Sequence, residues 1–126
     1  MPRILLIEDD AMNAEIMTRI LRKNNYEVIH ASDGPTGVSL ADSARPDLIL
    51  MDMRMPHDGD GEKATREIRA LPGLATTPII ALTAKCMPQE VEEMYQAGCS
   101  DVVTKPVHFP PFLEKITALL ADGAKT

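Results

Sequence analysis

Aromatic residues are scarce: two Phe, two Tyr and no Trp make up 3% of the 126 residues. The core must therefore be built from Ile, Leu, Val, Met and Ala. Only two cysteines are present, Cys86 and Cys99, so there is neither a disulfide framework nor a CxxC pair. Both read as reduced, buried spacers in a cytosolic protein. There is no excess of basic residues, and the net charge is -6. That argues against nonspecific nucleic-acid binding, which needs a basic footprint, but leaves protein partners open. There is no long apolar run either. Ile4–Ile7, which opens the chain, is four residues long, too short for a signal segment or a membrane span.

What is present is an ordinary globular balance, 44% hydrophobic and 25% charged. The length suits one domain and buries a core without disulfides or structural metal. The eight Met read as gap-fillers rather than a sulfur site. Short apolar runs at Ile4–Ile7, Val28–Ala31, Leu48–Met51, Ile79–Leu82 and Val102–Val103 alternate with helix-like stretches. Runs apolar on both faces suit a parallel sheet covered on both sides.

Between the runs, Ile16, Met17, Ile20 and Leu21 recur at helical spacing after Asp10, a helix N-cap candidate. A weaker helix spans Gly34–Ala44, with Val38, Leu40 and Ala41 apolar. Ala64, Ile68 and Leu71 form a third stripe, ended by Pro72 and Gly73. Met87, Val91, Met94 and Tyr95 form a fourth, with Pro88 early and Gly98 after its end. Phe109, Phe112, Leu113, Ile116, Leu119 and Leu120 form the last. Five βα units with right-handed crossovers make a three-layer α/β sandwich. Residues 1–121 read as the domain and 122–126 as a flexible tail, which leaves no room for an output domain.

The polar residues fall at one edge of that frame. Glu8, Asp9 and Asp10 follow the first strand, Asp52 the third, Thr83 the fourth and Lys105 the fifth. Ligands of open α/β sheets bind at this carboxyl edge. Taken singly, each residue has a bland reading as a cap, turn residue or surface charge, and Asp10 fits the cap well. Jointly they supply a coherent chemistry. Crowded carboxylates call for a cation, and hard oxygen ligands suit Mg²⁺. A carboxylate can act as a phosphoryl nucleophile, and Lys105 and Thr83 can supply charge and a hydroxyl to the phosphoryl oxygens.

The sequence resembles a response-regulator receiver domain of two-component signalling. The likeness runs from Arg3 to Leu120 and rests on five pieces in order. These are Ile4 through Asp10, Pro46 through Pro56, Pro78 through Ala84, Ala97 with Gly98, and Lys105 with Pro106. In style it is similar to the stand-alone receivers of bacterial cell-cycle or motility circuits. The resemblance implies a doubly wound (βα)5 fold, with five parallel strands in the flavodoxin-like order 2-1-3-4-5. It implies that Asp52 is phosphorylated, with Mg²⁺ (or Mn²⁺) held by Asp9, Asp52 and the Arg54 backbone carbonyl, and by Glu8 through water. Thr83 and Lys105 would hold the phosphoryl group, small Ala84 would leave access, and the bond before Pro106 would be cis, realistic only before proline.

Three departures from the family pattern stand out. Pro56 is followed by the matching Gly61 five residues on, one more than usual, which implies an inserted residue beside the site; His57 in that loop reads as exposed rather than ligating. The fifth strand carries Val102 where the family often has Tyr or Phe. A β-branched side chain cannot serve as an aromatic switch, and Tyr95 on the fourth helix is a candidate substitute. Arg54 and Lys85 place cations two residues after Asp52 and Thr83, positions that tune phosphoryl lifetime in the family.

The expected protein is not an enzyme beyond its own phosphorylation and dephosphorylation. A phosphatase passing through aspartyl-phosphate needs a second Asp where Arg54 stands. A flavodoxin-like carrier needs a Ser/Thr-rich loop where the acidic cluster stands. A receiver that is never phosphorylated sits poorly with the intact acid, Thr and Lys set. The expected partners are a histidine kinase or a histidine phosphotransfer protein, and a downstream protein target at the fourth helix, fifth strand and fifth helix. Direct nucleic-acid or membrane contact is not expected. The expected state is a monomer or weak dimer in the cytoplasm.

Overall fold

The strands form where apolar runs bury both faces. In the computed structural model these are β1 (Arg3–Ile7), β2 (Glu27–Ala31), β3 (Leu48–Asp52), β4 (Ile79–Thr83) and β5 (Asp101–Thr104). The helices are α1 (Ala11–Lys23), α2 (Gly34–Ala44), α3 (Asp60–Arg69), α4 (Pro88–Ala97) and α5 (Phe109–Ala124). All residues are described except Pro56, Asp58, Cys86, Lys125 and Thr126, with backbone alone for 122–124. The strands pair in parallel in the order β2-β1-β3-β4-β5, as the resemblance implies. The expected tail begins inside α5, which continues to Ala124.

Strand alternation divides the core in two. Leu5, Ile7, Ile49, Met51, Ile79 and Ala81 point to one side, with Ala41 of α2, Ala64 and Ile68 of α3 and Met94 of α4. Ile4, Leu6, Leu48, Leu50, Ile80 and Leu82 point to the other, with Met17 and Leu21 of α1 and Phe112 and Ile116 of α5. The strand residues are at most 3% exposed. Each large aliphatic side chain so buried contributes about 1.5–3 kcal/mol. Cys99 is also buried, and burial pushes its thiol up to about 11. That fits the spacer reading; Cys86 lies outside the described residues.

Two apolar stripes differ from expectation. The buried face of α1 is Ala14, Met17 and Leu21, whereas Ile16 is 48% exposed. A helix face against a sheet needs roughly a 100° stripe, and Ile16 falls beyond it. Met87 is the α4 N-cap, 63% exposed, and α4 buries only Met94 and Ala97. Tyr95 is likewise exposed.

Candidate functional site

The carboxyl ends of β1, β3, β4 and β5 meet at a cavity of about 400 Å³. Asp10 caps α1, its side chain accepting from the N–H groups of Met12 and Asn13. This turns the chain sharply after β1 and leaves Glu8 and Asp9 on the cavity wall. Asp52 ends β3 and is 5% exposed, and Thr83 ends β4 at the same exposure. Lys105 follows β5, its N–H donating to the Thr83 carbonyl at 2.7 Å. The Lys105–Pro106 bond is cis.

The charged atoms converge. Lys105 Nζ lies 3.3 Å from Asp52 Oδ1, and the Arg54 N–H donates to the same oxygen at 3.1 Å. One carboxylate oxygen from each of Glu8, Asp9 and Asp52 falls within 4.8 Å of the others. Glu8 is 4% exposed. Burial, then its hydrogen bond and repulsion with Asp52, pushes its carboxyl up to about 8; Lys105 and Asn13 pull it back part of the way. The site thus holds a proton where a cation would serve. Two buried acids and one exposed acid, all hard oxygen donors, fit a divalent ion of the Mg²⁺ kind.

The cavity brings together Glu8, Asp9, Asp52, Arg54, Thr83, Ala84 and Lys105, all expected from the sequence. Val102 does not join them; it packs against the core on the α3–α4 side. The Thr83 hydroxyl accepts from the Lys85 N–H at 2.9 Å, which ties the end of β4 to the segment leading into α4. Two lining residues escaped the sequence reading, Asn13 and Glu62. Asn13, in the first turn of α1, favours the charged form of Glu8; its place three residues after the Asp10 cap was the available signal. Glu62 sits in the first turn of α3 with one carboxylate oxygen, Oε1, buried and unpartnered.

The expected extra loop residue between Pro56 and Gly61 falls partly outside the described residues. His57 is exposed, and its N–H donates to Asp60 at 3.0 Å. Gly61 bonds its N–H to the Met53 carbonyl at 3.2 Å. A Cβ there would stand 2.9 Å from that carbonyl oxygen. Only glycine lets α3 start this close to Asp52.

Residues 4–117 match the family model of the response regulator receiver domain. The chain belongs to that family, a signalling domain of two-component systems. Among individual proteins, it is similar to the polar-differentiation response regulator DivK of Brucella anthropi. The two are 33% identical over 124 residues, covering 98% of this chain and all of the relative. DivK of Brucella ovis is 32% identical over 95% of this chain and 97% of its own. Among solved structures, the receiver domain of the Pseudomonas aeruginosa sensor histidine kinase PA1611 is 38% identical. It has a TM-score of 0.87 over 95% of this chain and 98% of its own, and carries a magnesium ion in its active site cleft. Vibrio cholerae CheY4 is 26% identical, with a TM-score of 0.88 over 94% and 98%.

Proposed function

We propose that Asp52 accepts a phosphoryl group from a phosphohistidine donor, and that the chain signals through altered protein binding. The observation that carries this reading is Asp52 Oδ1 beside Lys105 Nζ at 3.3 Å, with Glu8 and Asp9 oxygens grouped around it. An Asp52 oxygen attacks phosphorus, the P–N bond to the donor breaks, and the imidazole nitrogen keeps the electron pair. Lys105 holds negative charge on the transferring oxygens, and Thr83 donates its hydroxyl to one of them. Asp9, Asp52 and the Arg54 carbonyl would hold Mg²⁺ (or Mn²⁺), with Glu8 bound through water. When bound, the ion supplies positive charge to the phosphoryl oxygens. Dephosphorylation follows when water attacks the same phosphorus and Asp52 leaves as carboxylate.

The donor is read as a histidine kinase or a phosphotransfer protein. Met12 and Ile16 are exposed one turn apart on α1. Ile16 also lines a second cavity, of about 240 Å³, that shares Glu8, Asn13 and Lys105 with the first. An apolar platform continuous with the acceptor suits a protein donor better than a small molecule. The output face is α4, β5 and α5. No helix among the described residues is long and apolar enough to cross a membrane. Incubation with a phosphorylated histidine donor and Mg²⁺ should label the chain with a phosphoryl group that survives acid and is lost in alkali. The same label on Asp52→Asn would refute the assignment.

A further inference from the structure

With Val102 in place of an aromatic, β5 cannot report the state of the site through a ring. Another aromatic occupies that face. Tyr95, in the last turn of α4, donates its hydroxyl to Asp101 Oδ1 at 3.3 Å. Asp101 opens β5, and the same oxygen accepts the Val102 N–H at 2.8 Å. Its other oxygen, Oδ2, lies 3.1 Å from Lys115 Nζ on α5. One carboxylate therefore ties α4, β5 and α5 together. Burial, then the Asp101 charge, pushes the Tyr95 phenol above its ordinary value, so the hydroxyl stays a donor.

Helix α4 is lightly held. It buries only Met94 and Ala97, and its N-cap makes no side-chain bond. By contrast α3 buries Gly61, Ala64, Thr65 and Ile68. Elements with few buried contacts move at the lowest cost. The segment entering α4 is fastened to Thr83 through the Lys85 N–H.

We propose that Tyr95, Asp101 and Lys115 form a latch, closed while Asp52 is free and opened when Asp52 carries a phosphoryl group. This rests on the phosphoacceptor reading above. The Thr83 hydroxyl, turned to donate to the phosphoryl group, either leaves the Lys85 N–H or draws it along. Both alter the lead into α4, which rolls and lifts Tyr95 from Asp101. Asp101 keeps Val102 and Lys115 as partners, so opening strands no buried charge.

The chain has no Trp and only Tyr26 and Tyr95, so Tyr26→Phe makes tyrosine emission report Tyr95 alone. A tyrosine bonded to a carboxylate emits weakly, and Asp101→Ala in the same background sets the open-latch level. Acetyl phosphate and Mg²⁺ should raise the emission of Tyr26→Phe toward that level, with the intact mass of the same sample showing one phosphoryl group. The emission of the Asp101→Ala protein should not respond. A mass gain without an emission change overturns the latch and leaves the phosphoacceptor reading standing. No mass gain overturns both. Independently, Tyr95→Phe should raise the affinity for beryllium trifluoride with Mg²⁺ about 2- to 10-fold, the worth of one hydrogen bond to a two-state equilibrium. An unchanged affinity contradicts the latch.

Discussion

Lys105 crosses from the end of β5 to the end of β3 and sets its ammonium 3.3 Å from Asp52 Oδ1. The Asp52 side chain is 7% exposed and that of Lys105 34%, so the pair is partly shielded from solvent. Lys105→Ala should slow phosphorylation by acetyl phosphate roughly 10- to 100-fold, the worth of a bond to a charged group. The same change removes a cation from three crowded acids, so Mg²⁺ should bind more tightly. Labelling rates and a Mg²⁺ titration on the one variant check both.

Glu8 makes stability depend on pH. Its folded carboxyl is raised from the ordinary 4.5 to about 8, so between those values the folded chain holds a proton that the unfolded chain has lost. Stability without Mg²⁺ should therefore fall as pH rises from about 4.5 to about 8. Mg²⁺ competes with that proton and should raise Tm more at pH 8 than at pH 5. Glu8→Gln should flatten the pH dependence of Tm and weaken Mg²⁺ binding roughly 10- to 100-fold, as for a group acting through a bound water.

Gly61, in the first turn of α3, sets its backbone against Met53, the residue after Asp52. A Cβ there meets the Met53 carbonyl at 2.9 Å and pushes α3 away from the residue after Asp52. Gly61→Ala should cost about 1–3 kcal/mol in urea unfolding, as overpacking does. Phosphorylation should slow with it, because Met53 and Arg54 move.

Much of this arrangement was legible in the sequence. Apolar runs such as Leu48–Met51, buried on both faces, marked the strands, and Asp10 marked the start of α1. The site followed because its residues sit at strand ends, where position along the chain dictates position in space. Less legible was whatever depends on how helices roll. Ile16 and Met87 joined apolar stripes by spacing yet face solvent, since periodicity locates a face only to within one side chain. The Tyr95–Asp101 bond could not be read, because it depends on how closely α4 lies to the start of β5. The half-buried Arg69, which donates to the carbonyls of Gly98, Leu74 and Thr77, left no local signal for the same reason.

The exposed pair Met12 and Ile16 separates protein donors from small ones. Ile16→Glu should lower the rate of phosphotransfer from a phosphorylated histidine protein at least tenfold, as for loss of an apolar anchor. The rate with acetyl phosphate should change far less, because Ile16 does not line the cavity that holds Asp52 and a small donor needs no docking face. An equal effect on both donors would place Ile16 in the fold rather than on the docking face.

Whether Asp52 carries the phosphoryl group is read by peptide mapping with mass spectrometry after acetyl phosphate and Mg²⁺. One phosphoryl group per chain is expected, on Asp52, absent when the metal is chelated and absent in Asp52→Asn. A phosphoryl group on another residue, or one that Asp52→Asn retains, would contradict it.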